Sequence, residues 1–363
     1  MEDAPKPPSG QYLFVVCQVG AEAFLKNDIK RNHPGLAFAF SRPSFVTFKI
    51  TTDDVIEQIR SPFARTFGFS VTSIKTTENR AELVAECLKA CESPFSHIHV
   101  WERDKYVPGE RQFEPFAKEE STTLGEQIKT QAGEALSSTL VNHKARVGDH
   151  VANLVLVDDD HWFVGQHITS TIATCWPGGV PPLKRKEDMV SRAYLKMEEA
   201  LKWSRLPIQK GDKCVELGSS PGGSCQALLD RGLNVIGIDP AKMDERVLKH
   251  PNFTHVRARA ADLKRKEFAE VRWLMTDANL DPTSTLDAIE GIVTNRQVNI
   301  PGMLITLKML DPKMAKDIDA NLDRIRGWGY RHIRARQLAF NRKEICVLAA
   351  RSKGKMRMGF RRS

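Results

Sequence analysis

The sequence predicts an α/β protein: an open, mostly parallel, seven-stranded sheet of the Rossmann-like kind in the second half, preceded by smaller α+β units. Three observations predict it. From Glu187 onward, strand-like apolar runs alternate with helical spacings, which argues for a parallel sheet covered on both faces. Just before that point the Pro- and Gly-rich stretch Cys175-Trp-Pro-Gly-Gly-Val-Pro-Pro interrupts the pattern. Third, Val215-Glu-Leu runs straight into a glycine-rich turn that opens a helix.

Taken in order, residues 1–10 are Pro-rich and are expected to be disordered, and the run Tyr-Leu-Phe-Val-Val-Cys at 12–17 reads as a buried strand. Residues 20–29 place apolar side chains at helical spacing; strands follow at 44–50 and 66–73, with a helical stretch between them from about Asp53. These make a small α+β domain over 1–75. A second unit covers 76–170, with a helix at 80–90, a strand at 97–101, a polar stretch at 105–120 and strands at 151–157 and 162–167. Residues 171–186 form a linker that ends in Lys184-Arg-Lys. In the domain 187–352 a helix over 187–204 precedes strands at 213–217, 234–239, 254–258, 272–277, 303–308, 332–338 and 344–350. Helices fill the intervals at 222–231, 242–249, 284–298 and 312–327. Residues 353–363 read as a basic tail, since the last 13 residues hold six Lys or Arg and no acid.

Composition narrows the function classes. The 363 residues carry 54 Lys and Arg against 45 Asp and Glu, net +9, with 41% hydrophobic and 27% charged residues. Residues 1–180 hold 18 basic and 23 acidic side chains, net −5, whereas 181–363 hold 36 and 22, net +14. A basic half suits a polyanion, since neutralised phosphates release counterions. The seven cysteines are odd in number and scattered, with no CxxC pair, which excludes a disulfide-stapled module and a zinc ribbon. No apolar run approaches the ~18 residues of a membrane span, and the acidic, Pro-rich start has no secretory pattern. A cytoplasmic protein with reduced thiols is expected.

The turn after the first strand of the second half reads Gly218-Ser-Ser-Pro-Gly-Gly. Gly218, Gly222 and Gly223 leave room where a backbone turns tightly beside a ligand. Twenty-one residues after Gly218, the strand Asn234-Val-Ile-Gly-Ile-Asp ends in Asp239, placed to accept from a ribose diol. The dinucleotide fingerprint GxGxxG needs a glycine where this chain has Ser220, so a nicotinamide cofactor is disfavoured. Asp262, after the third strand, is placed to meet an adenine amino group.

Four polar residues stand where a plain core would hold apolar ones: Lys196 on the entry helix, Asp277 and Lys308 at strand ends, and Glu344 at a strand start. Asp277 is followed by Ala-Asn-Leu rather than the Pro-Pro-aromatic run of amino-methylating enzymes. A cysteine nucleophile for carbon methylation is likewise missing from that strand end. A lysine becomes a base when burial and a second ammonium lower its pKa from about 10.4; Lys308 is the candidate base and Lys196 its neighbour.

The Glu-Leu-Gly-Ser-Ser-Pro-Gly-Gly loop, with Gly218, Ser220, Pro221, Gly222 and Gly223, resembles the S-adenosyl-L-methionine loop of the FtsJ-like ribose methyltransferases. The order Lys196, Asp277, Lys308, Glu344 is similar to their catalytic tetrad. Together with Ser191-Arg-Ala-Tyr-Leu-Lys-Met-Glu-Glu-Ala and Ile238-Asp-Pro-Ala-Lys-Met, these residues resemble the 23S ribosomal RNA cytidine 2′-O-methyltransferases, over most of 181–350. The first half resembles that family in outline, through Val15-Val-Cys-Gln-Val-Gly-Ala-Glu-Ala and Phe63-Ala-Arg-Thr-Phe. The resemblance implies S-adenosylmethionine bound by the loop with Asp239, Asp262 and Asp277. It also implies a ribosomal RNA substrate, a cytidine in the 23S peptidyl transferase loop, and ferredoxin-like and THUMP RNA-binding domains at 1–75 and 76–170. Neither a metal nor a membrane is implied, and a monomer is favoured. Where the family carries a small hydroxyl residue, three positions before the first tetrad lysine, this chain has Ala193 and so lacks one cofactor hydrogen bond. The other reading is an RNA-binding assembly factor that keeps the fold without turnover.

Overall fold

Strands on both sides of residue 75 pair into one sheet. The computed structural model describes residues 11–352 except 54, 55, 57, 92, 93, 263, 264 and 269. The terminal segments 1–10 and 353–363, expected as leader and basic tail, lie outside the described residues. The chain divides into two units, Met1–Pro182 and Leu183–Ser363.

In the first unit the elements run β1 (Tyr12–Val16), α1 (Glu22–Asn32), β2 (Leu36–Arg42), β3 (Phe45–Ile50), β4 (Thr66–Lys75), α2 (Arg80–Lys89) and β5 (His97–Glu102). They continue with α3 (Glu119–Ala132), β6 (Leu140–Val141), β7 (His150–Asp158) and β8 (His161–Ile168). The strand order is β2-β3-β1-β4-β8-β7-β5-β6. Strand β4 pairs with β1 along one edge and β8 along the other, so the stretches expected as two domains share a sheet. One apolar cluster gathers Val84 and Leu88 of α2, Ile128 of α3 and Val100 of β5; another joins Phe14, Phe45, Trp101 and Phe163. The helix expected from about Asp53 falls partly on residues outside the description, and residues 58–60 are not helical.

The second unit runs α4 (Ala193–Ser204), β9 (Lys213–Leu217), α5 (Gly223–Asp230), β10 (Asn234–Ile238), α6 (Glu245–Leu248), β11 (Phe253–Val256) and β12 (Trp273–Thr276). It continues with α7 (Pro282–Val293), β13 (Gly302–Lys308), α8 (Ile318–Gly327), β14 (His332–Arg336) and β15 (Glu344–Ala350). The seven strands take the order β11-β10-β9-β12-β13-β15-β14. All neighbours as far as β13 are parallel, and β15 runs antiparallel between β13 and β14. Local chemistry sets several ends. Asp281 caps α7 by accepting from Ser284 N at 3.0 Å, with Pro282 in the first turn where its missing N–H costs nothing. Helix α4 starts at Ala193 rather than 187, and α8 at Ile318 because Pro312 opens a separate 3₁₀ segment, Pro312–Asp317.

Candidate methyl-transfer site

Sheet register brings the polar residues of the second unit to one rim. Strand β12 lies parallel to β9 with Thr276 opposite Leu217, so Asp277 emerges beside Gly218. Lys308, the last residue of β13, is the register partner of Glu344, the first of β15. An antiparallel strand therefore delivers the fourth member of the set to the carboxyl ends of the parallel ones, where open α/β sheets bind ligands.

Lys196 reaches in from α4. Its Nζ lies 2.6 Å from Asp277 Oδ2 and 2.8 Å from Glu344 Oε1. Lys308 Nζ stands further off, 3.6 Å from Asp277 Oδ1 and 4.0 Å from Glu344 Oε2. The four side chains are 6% to 16% exposed, so two lysines and two acids share one desolvated cluster. Burial works against the Lys196 ammonium, yet Asp277 and then Glu344 outweigh it and leave its pKa above the ordinary lysine value. For Glu344, burial would raise the pKa, but Lys196 and then Lys308 hold the carboxyl below its usual range. Replacing buried ion pairs with packed apolar residues is often neutral or stabilising, by ~1–4 kcal/mol, so stability alone does not account for such a cluster. Asp277 Oδ1 is buried and accepts no hydrogen bond among the described residues, which leaves an acceptor available at the centre of the set.

The loop beside it is held from several sides. Gly218 has φ +75°, and a Cβ there would sit 2.7 Å from Ala278 Cα, so only glycine lets β9 turn against the strand that delivers Asp277. Gly222, with φ +115°, caps α5. At Gly223 a Cβ would meet Ser191 Oγ at 2.2 Å and Ser191 O at 2.9 Å, because α5 starts against the segment leading into α4. The Ser220–Pro221 peptide is cis. Asp239, just past β10, accepts from Ser220 N at 3.1 Å through Oδ2 and from Ala241 N at 2.8 Å through Oδ1. Each carboxylate oxygen keeps a lone pair for a ligand. Asp262 closes the 3₁₀ turn Ala260–Asp262 beyond β11 and is exposed.

Those residues suit S-adenosylmethionine: a glycine turn at a strand end, acids beyond the two following strands to accept from hydroxyl and amino groups, and a buried Asp277 oxygen with no hydrogen bond among the described residues. Two features escaped sequence reasoning. Glu216, on β9 beneath the loop, is buried and takes a hydrogen bond from Cys225 Sγ at 2.9 Å; burial pushes its carboxyl up to about 8. Its position, two residues before Gly218 on an apolar strand, was the available signal. The second is a small cavity lined by Ala193 together with Lys196, Ser224, Asp277 and Asn341.

Residues 189–319 match the family model described as FtsJ-like methyltransferase. The chain is 32% identical over 183 residues to a protein named ribosomal RNA large subunit methyltransferase M from Halorhodospira halophila; the match covers 48% of this chain and 51% of that protein. The Hahella chejuensis protein of the same name is 25% identical over 312 residues, covering 81% of this chain and 75% of its own length. The chain thus spans about half the length of the Halorhodospira relative and three quarters of the Hahella one. A solved structure of TrmN from Thermus thermophilus covers 93% of this chain and 99% of its own, at 15% identity and a TM-score of 0.36, a likeness too loose to transfer anything.

Proposed function

We propose that this chain, whose second unit carries an FtsJ-like methyltransferase domain, is an S-adenosylmethionine-dependent ribose 2′-O-methyltransferase of ribosomal RNA. Its target in this reading is a cytidine of the 23S peptidyl transferase loop. The observation that carries the proposal is the buried cluster of Lys196, Asp277, Lys308 and Glu344 at the rim that also bears the glycine loop. Relatives named for large-subunit ribosomal RNA support the substrate class.

S-adenosylmethionine, when bound, supplies a methyl group on a sulfonium sulfur. Gly218, Ser220, Pro221, Gly222 and Gly223 would line its bed, Asp239 its ribose hydroxyls, Asp262 its adenine amino group, and Asp277 the space between donor and tetrad. Lys196, gripped by two carboxylates, stays an ammonium and sets the positive charge of the pocket. Lys308, held by the same carboxylates at longer distances, is the lysine this reading assigns as the base. In this reading Lys308 Nζ, entering as the neutral amine, would take the proton of the 2′-hydroxyl as that oxygen is methylated and would pass it on to water. Asp277 and Glu344 keep both lysines in register. Holding hydroxyl and methyl group in line can contribute ~7–11 kcal/mol to the rate. Substrate delivery falls in this proposal to the first unit, over the stretches expected as a ferredoxin-like domain at 1–75 and a THUMP-like domain at 76–170, in a cytoplasmic monomer.

The test pairs labelled methyl donor with ribosomal RNA from cells lacking its 2′-O-methyl groups. Wild type should transfer label to a single cytidine, read by nuclease digestion and mass spectrometry, and Lys308→Ala should bind RNA without transfer. Absence of transfer by wild type overturns the proposal and leaves the assembly-factor reading.

A further inference from the structure

Glu199 lies on α4, nearly one turn beyond Lys196, and is 1% exposed. A buried carboxylate is costly unless its oxygens are hydrogen-bonded. Here Ala339 N donates to Oε1 and Phe340 N to Oε2, both at 2.9 Å. Arg192, at the start of the same helix, donates through Nη2 to Phe340 O at 3.2 Å. Helix α4 therefore holds both the amide and the carbonyl of Phe340.

The segment so held is the turn between β14 and β15. Residues 338 to 341 of that turn are at most 2% exposed, and Asn341 Nδ2 donates to Glu344 O at 3.2 Å. Three residues beyond Asn341 stands Glu344, whose carboxylate meets Lys196 of that same helix at 2.8 Å. One helix thus carries the lysine and grips the backbone that sets the lysine's carboxylate partner.

We infer that Glu199 is a positioning residue of the methyl-transfer centre: by clamping the amides of Ala339 and Phe340 it fixes Glu344 against Lys196 and thereby the setting of Lys308. This rests on the methyltransferase reading of the site. The experiment compares the full-length wild type with Glu199→Gln and Glu199→Ala. In Glu199→Ala, kcat for methyl transfer per folded molecule should fall by roughly tenfold to a hundredfold, the range a displaced catalytic group costs. KM for the methyl donor should stay within about twofold, because the loop at 218–223 is untouched. Glutamine keeps one acceptor oxygen, so Glu199→Gln should recover part of kcat, and it remains decisive should the alanine variant fail to fold. Amide exchange at Ala339 and Phe340 should quicken in both variants. Unchanged kcat with unchanged exchange overturns the inference, as does a rise in donor KM equal to the fall in kcat. If wild type itself transfers no methyl group, the functional reading fails, and exchange in Glu199→Gln alone decides the clamp.

Discussion

Two lysines of identical chemistry hold different stations at the site. Lys196 makes contacts of 2.6 and 2.8 Å with two carboxylates, while Lys308 faces the same pair at 3.6 and 4.0 Å. The sequence showed that a Lys, Asp, Lys, Glu set existed but not which lysine was gripped, because distance within a cluster is a property of rotamers and strand register. The distinction makes a prediction. Arginine keeps the charge but cannot give up its proton, so Lys308→Arg should lose about 10²- to 10⁴-fold in kcat, the usual contribution of a positioned base. It should be no better than Lys308→Ala. Single-turnover rates with saturating donor and RNA measure it, and activity in Lys308→Arg above a tenth of wild type would show that Lys308 acts as a charge rather than a base.

At the scale of elements, what was legible followed the size of the buried side chains. Strands β9, β12, β13 and β15 are almost wholly buried and read as apolar runs, so their places were plain. Helix α3, which starts at the end of the polar stretch at 105–120, was not anticipated, because its buried positions are Ser121, Gly125, Ile128 and Ala132. Their spacing is helical, but small side chains leave no hydrophobic signal. At Gly125 a Cβ would meet Val141 Cγ1 at 2.4 Å, so the smallness is a packing requirement. Strand β2 was missed because it is an edge strand with four of its seven residues exposed and only Leu36 buried, Phe38 being 55% exposed. The loop between β9 and α5 was legible as a glycine pattern, yet the reason for Gly223 was not, since its neighbour Ser191 is 32 residues away in sequence. Gly223→Ala must push α5 from the entry to α4, the helix that carries Lys196. The expected result is donor affinity reduced at least ~10-fold, with a loss of ~1–3 kcal/mol in stability from overpacking. Calorimetric titration and thermal melting measure the two effects. Unaltered affinity with an unaltered melt would mean the α4–α5 contact yields without cost.

Across the whole molecule, charge and proton uptake divide between the two units. The +14 half holds the cluster of Lys196, Asp277, Lys308 and Glu344, whereas the −5 half is where buried histidines gather. His99 of β5 is fully buried; its Nε2 lies 2.9 Å from His143 O, and its Nδ1 has no partner among the described residues. His167 of β8 lies with Nδ1 2.8 Å from Asn153 Nδ2 and Nε2 3.0 Å from Thr174 O. The amide and carbonyl assign the neutral ring with its proton on Nε2, since a proton on Nδ1 would face the Asn153 donor. Burial, and then the nearby His167, push His99 down to about 3; burial pushes His167 down to about 4 against the hydrogen bond to Thr174 O. Both folded values lie below the unfolded value of about 6.5, so the unfolded chain binds more protons as pH falls. The stability these rings contribute is complete above pH 6.5 and drains away between about 6.5 and 3–4. Glu344 in the other unit, also shifted down, loses its share only at lower pH, below the usual carboxylate range. Acid should therefore weaken the sheet carrying β5, β7 and β8 before it weakens the tetrad. Calorimetry of wild type from pH 6.5 to 4.5 should show the melting temperature falling, because the two rings together outweigh Glu216, whose raised carboxyl acts in the opposite sense; His99→Leu should flatten that slope because the buried ring that must take up a proton is gone. An equal slope in the two proteins would place the proton uptake elsewhere.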